Sequence, residues 1–125
     1  MAKQEIIEVP GVPAFGPYSH AVRANGFLFV SGQGGVDPAT GAIAATFAEQ
    51  ARQAFKNLGA VLAAGGSEFD RVVNTTVQLA DAAYFPELNA LFAEYFAAAP
   101  PARMTMQVVI PKGLLISIGC VALAG

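Results

Sequence analysis

The sequence predicts an α+β fold, a sheet with two helices packed against one of its faces. Two segments carry apolar residues at the period of a helix, and short runs rich in Val, Ile, Thr and Phe, bounded by Gly, Pro and Asn, read as strands. The third observation is compositional: the 125 residues are 54% hydrophobic and only 13% charged, against about a quarter charged in an average soluble domain. A chain of this size buries only about two-thirds of its unfolded surface when it folds alone. So few charges would leave much apolar area wet, which predicts a permanent oligomer in which another subunit covers the sheet face that the helices leave open. Length and the lack of a linker-like stretch predict one domain over residues 1–125.

The elements follow in order. "QEIIEV" (4–9) reads as a strand, and "AVRANGFLFVSG" (21–32) as a hairpin, split by the turn dipeptide Asn25-Gly26 between two apolar stretches. "GGVDPATGAI" (34–43) is a loop, broken by Asp37-Pro38 and Gly41. In 46–66 the residues Phe47, Ala51, Phe55, Leu58 and Leu62 form one helical stripe, with Thr46 and Glu49 as a capping box and Gly65-Gly66 as the stop. Residues 81–100 give a second helix with Phe85, Leu88, Phe92, Tyr95 and Phe96 inward and Pro86 in its first turn. Three further strands are expected, at 71–80, 102–110 and 114–123. Alternation assigns Asn74, Thr76 and Gln78 to one face of the first of these, and Arg103, Thr105 and Gln107 to one face of the second.

Several functions are disfavoured by composition. A net charge of -2 offers no basic patch for phosphate neutralisation, so nucleic acid is not an expected partner. Apolar runs are broken by Ser, Gly or Pro well short of the ~20 residues of a membrane-spanning helix. The opening "MAKQEIIEVPG" has acids where a signal peptide needs an apolar core, so the cytoplasm is the expected compartment. One histidine, one cysteine and no CxxC or HxxxH pair argue against a metal site. Cys120, in "ISIGCVAL", reads as a small core hydrophobe, and His20 as a surface or interface histidine rather than a catalytic one.

The stretch 100–125, "PPARMTMQVVIPKGLLISIGCVALAG", holds one arginine, one lysine and no acid. Either Arg103 sits at an exposed strand end, or its partner is something the protein binds. The other candidates are small and polar: Tyr18, Ser31-Gly32-Gln33 and Asn89. The blocks "FGPYSHAV", "LFVSGQ", "NALFAEYF", "PPARMTMQV" and "IPKGLLISIGCVAL", in this order over about residues 5–123, strongly resemble the RidA (YjgF, reactive intermediate deaminase) family.

That resemblance implies a chorismate-mutase-like fold with a mixed sheet, assembled as a homotrimer with clefts between subunits. It implies hydrolytic deamination of reactive 2-imino and enamine acids to 2-oxo acids and ammonia, without a cofactor. The arginine that grips the substrate carboxylate corresponds to Arg103, and the tyrosine, serine-glycine and asparagine of the cleft to Tyr18, Ser31, Gly32 and Asn89. Tyr18 is expected to reach in from the neighbouring subunit. A guanidinium suits the task, because its planar fork gives a carboxylate two parallel charge-assisted hydrogen bonds.

Two positions depart from the family. Thr105 stands where many members carry cysteine; the family uses the backbone there, which tolerates the exchange. Ser117 stands where efficient imine deaminases carry a water-activating glutamate, and no register restores it, because residues 95–125 contain no acid. A positioned acid or base is typically worth about 10²–10⁴-fold. Two alternatives therefore stay open: a trimer that binds a small carboxylate without turning it over, and a deaminase for a different amino-substituted acid such as an aminomuconate. Endoribonuclease activity, attributed to some members, ranks last for this acidic, lysine-poor chain.

Overall fold

The computed structural model describes residues 5–124. Its six strands are β1 (Glu5–Ile7), β2 (Ala21–Ala24), β3 (Phe27–Gly34), β4 (Val72–Leu79), β5 (Ala102–Gln107) and β6 (Ile116–Leu123), and its two α-helices are α1 (Phe47–Ala64) and α2 (Phe85–Tyr95). One sheet holds all six in the order β1-β2-β3-β6-β4-β5. Only β4 and β5 pair in parallel, joined by the crossover through α2, so the sheet is mixed.

Local chemistry accounts for each boundary. Asn25 and Gly26 both take positive φ, 53° and 81°, the pair of left-handed residues that a tight turn between twisted strands requires. Helix α1 starts where Thr46 Oγ1 accepts from the Glu49 amide at 3.3 Å and donates to the Glu49 carboxylate at 2.8 Å. The Glu49 side chain thus bonds the capping hydroxyl rather than the backbone amide of the cap. At its other end Gly66 turns left-handed (φ 75°), while Ser67 N–H donates to Leu62 O and Gly66 N–H to Ala63 O, the paired bonds of a Schellman stop.

Leu28 and Val30 of β3, Val77 and Leu79 of β4, and Ile116 and Ile118 of β6 are buried against the helices, and the whole expected α1 stripe is buried with them. From α2, Leu88 and Phe92 join this core together with Phe96 just past the helix. Cys120 lies in the same layer, where burial pushes its thiol up to about 12, which removes it as a thiolate nucleophile near neutral pH.

Three expectations need correction. The second helix is shorter than 81–100: its first residues form a 3-10 turn, Ala82–Tyr84, and it ends at Tyr95, because the buried Phe96 leaves helical backbone (φ −118°, ψ 40°) well before Pro100. Strand β1 stops at Ile7 because its partner β2 begins opposite, at Ala21, and β5 stops at Gln107 because β4 ends opposite, at Leu79. Gln4, the first residue of the expected β1, lies outside the described residues. Finally, the open sheet face is less polar than expected. Asn74, Thr76 and Gln78 do lie there, but so do Phe27, Phe29, Met104 and Leu123, with Phe29 47% and Met104 64% exposed.

Candidate active site

The sequence-predicted site residues fall into two groups. The first surrounds a break in the β3–β6 ladder: pairing shifts between Val30 and Gln33, so Ser31 and Gly32 form a bulge. Ser31 Oγ donates to Ser19 O at 2.6 Å, and Ser31 N–H donates to His20 O, which ties the 12–20 segment to the strand. Gly32 is required by close approach, since a Cβ there would stand 2.5 Å from Ser117 Oγ on β6. Tyr18, Gly32 and Ser117 line one cleft of about 520 Å³, together with Gln78 and Lys112.

The wall of that cleft also holds a polar network, built on His20 and Gln33, whose pairing was not legible in the sequence. His20 is buried in this chain rather than at its surface: Nε2 donates to Val12 O at 3.0 Å, and Nδ1 accepts from Gln33 Nε2 at 3.2 Å. Gln33 also donates to Ser31 O at 3.1 Å. The network holds the loop that carries Tyr18 against the bulge that carries Gly32. The signal was the polar pair His20 and Gln33 beside otherwise apolar strand positions, but only the fold brings the two together.

The second group lies across the sheet. Arg103 pairs with Thr75 and Thr105 with Val77 in the parallel β4–β5 ladder, so both side chains belong to the helix-covered face. The Arg103 guanidinium carbon stands 4.8 Å from the centroid of Phe92 and 6.0 Å from that of Phe85, both on α2. Such stacking attracts the cation to the ring face and leaves the in-plane N–H edge available. Arg23 pairs with Glu5 and Arg52 with Glu94, whereas Arg103 has no carboxylate partner among the described residues. Asn89 is exposed on α2, spaced by helical turns from Phe85 and Phe92. Thr105 Oγ1 is buried without a hydrogen-bond partner among the described residues.

Ser117 and Arg103 are therefore apart within one chain. They lie on opposite faces, and β4 stands between β6, which carries Ser117, and β5, which carries Arg103, a lateral span of about 10 Å at ~4.8 Å per strand.

A sequence profile described as endoribonuclease L-PSP matches residues 10–124. The chain belongs to the endoribonuclease L-PSP family. Within this L-PSP family it is 44% identical over 120 residues to a 2-iminobutanoate/2-iminopropanoate deaminase of Homo sapiens, covering 94% of this chain and 86% of that protein. It is 42% identical over 123 residues to the chloroplastic Reactive Intermediate Deaminase A of Arabidopsis thaliana, covering 96% of this chain and 66% of that longer protein. The crystal structure of the YjgF gene product from E. coli superposes with a TM-score of 0.86 at 35% identity, over 95% of this chain and 98% of that one. The resemblance to RidA and YjgF, and the α+β fold expected from it, thus hold for this L-PSP family chain.

Proposed function

We propose that the chain hydrolyses 2-imino acids to 2-oxo acids and ammonia, in clefts formed between neighbouring copies of a homotrimer. The observation that carries this reading is Arg103: a guanidinium backed by an aromatic ring, edge free, with no carboxylate of its own among the described residues. The separation of the two residue groups within one chain supports a shared site, in which Arg103, Thr105 and Asn89 of one copy face Tyr18, Gly32 and Ser117 of the next. The apolar open face supplies the surface that such an assembly would cover. The names of the human and Arabidopsis relatives support the choice of substrate.

In this reading Arg103 holds the substrate carboxylate through two charge-assisted hydrogen bonds and fixes the imine carbon within reach of a water. The water adds to that carbon, its proton passes to the imine nitrogen, and the resulting amino alcohol expels ammonia as its hydroxyl becomes the carbonyl. Thr105 Oγ1 and Ser117 Oγ act as hydrogen-bonding groups that orient water and departing nitrogen. The orphaned Thr105 hydroxyl supports such a role, because a buried polar atom without a partner costs about 1–3 kcal/mol until one is supplied.

The test is ammonia or 2-oxo acid release from imines generated in situ by an amino-acid oxidase. Arg103→Ala is expected to lower kcat/KM on the order of 100-fold, the loss of two charge-assisted bonds; equal rates in the two proteins would overturn the proposal. One observation favours a second reading, binding without turnover: Ser117 replaces the family's glutamate, and the one acid lining the cleft, Asp37, accepts from the Ala39 amide in its own turn. Saturable calorimetric binding of a 2-oxo acid with no imine hydrolysis would select it.

A further inference from the structure

Lys112 was singled out in the sequence only as the other cation of the acid-free stretch, and the mechanism above leaves it unused. Its surroundings give it a purpose. Its backbone is left-handed, φ 63° and ψ 22°, a conformation strained for lysine and free for glycine. Neighbouring structure holds it there. The buried Gln50 donates through Nε2 to Gly113 O at 3.3 Å and accepts at Oε1 from the Leu115 amide at 2.8 Å, pinning the chain immediately after Lys112.

The strained backbone brings the side chain to the cleft that Tyr18, Gly32 and Ser117 line. There its Nζ stands 4.8 Å from the centre of the Phe15 ring. Lys112 is the one lysine or arginine lining this cleft, and no ion pair joins it to a carboxylate among the described residues. Asp37, the acid of the same cleft, is engaged by its own turn. The cleft thus carries a positive charge without a neutralising partner among the described residues. A cation at the wall of a cleft attracts an anionic group and favours it over a neutral one.

We propose that Lys112 is a specificity-determining residue that recognises a second carboxylate, so that the preferred substrates are 2-imino acids with an acidic side chain. The proposal rests on the reading of the cleft given above: the carboxylate next to the imine carbon binds Arg103 of one copy, and the side-chain carboxylate binds Lys112 of the next.

Calorimetric binding of two stable product analogues tests it without requiring turnover. The probes are 2-oxoglutarate, a dicarboxylate, and 2-oxobutanoate, a monocarboxylate, each titrated into the wild type, Lys112→Met and Lys112→Arg. Methionine keeps an apolar stem against Phe15 and removes the charge. The expected result is about fivefold tighter binding of 2-oxoglutarate by the wild type, the scale of one partly solvated ion pair. That preference is expected to vanish in Lys112→Met, with 2-oxobutanoate affinity held within about twofold, and to persist in Lys112→Arg. Equal affinities in the wild type, or a preference that survives in Lys112→Met, would overturn the proposal. Arg103→Ala separates the two readings. If it leaves both affinities unchanged, the assignment of Arg103 fails, while the Lys112 preference is still judged on its own result.

Discussion

Ser117 and Gly32 show how a single substitution reshapes this cleft. Their strands approach closely enough that a Cβ at position 32 would stand 2.5 Å from Ser117 Oγ, which leaves room for hydrogen alone at that position. Gly32→Ala is expected to destabilise the protein by about 1–2 kcal/mol in denaturant unfolding, because an overpacked contact must be relieved by moving the serine rotamer or the strand. Combining it with Ser117→Ala should recover most of that loss, since the contact is then gone. Strict additivity of the two changes would show that the strain lies elsewhere. Arg103 is set in the same way by one neighbour: the ring of Phe92 occupies its face, so the edge with the parallel donors is the part left to bind.

Helix α1 shows how elements are fastened by chemistry outside their own periodicity. The Thr46 hydroxyl closes its N-terminus, and because its last turn holds no basic residue, a cation is supplied from β2. Arg23 donates to Gly65 O at 2.6 Å while pairing with Glu5 of β1 at the same distance, so one side chain couples the helix end to β2 and to the edge strand β1. Thr46→Ala is expected to cost about 1 kcal/mol in denaturant unfolding, the usual worth of such a cap. An unchanged midpoint would mean that the Glu49 amide is satisfied equally well by water. Turn Asn25-Gly26, the α1 stripe and both of its caps were legible from residues alone, because each depends on neighbours within about four positions. The early end of α2 at Tyr95 had no stop residue beside it, Pro100 lying further on, and the early ends of β1 and β5 depended on where their partner strands stop.

For the whole molecule, the open face with Phe27, Phe29, Met104 and Leu123 predicts assembly, and the division of the site predicts its arrangement. Light scattering is expected to give three times the chain mass of 12.9 kDa. Mixing offers a sharper measurement. Arg103→Ala and Tyr18→Ala subunits, each impaired alone, should regain activity when refolded together, because roughly a quarter of randomly assembled head-to-tail clefts receive both intact sides. Activity no greater than the average of the two parents would mean that each cleft draws both residues from one chain.

The sequence by itself determined the fold class and the face of each helix that goes inside, and it named the candidate site residues, since periodicity, caps and motif blocks are written along the chain. Tertiary structure decided which of those residues meet. It set Tyr18, Gly32 and Ser117 around one cleft, with His20 and Gln33 bonded to each other in its wall. It also placed Arg103 on the opposite face against Phe92, and turned Lys112 into the cleft through a left-handed backbone held by Gln50. The physical reason is that strand order and ladder register join residues tens of positions apart, and no local pattern encodes which strand becomes whose neighbour.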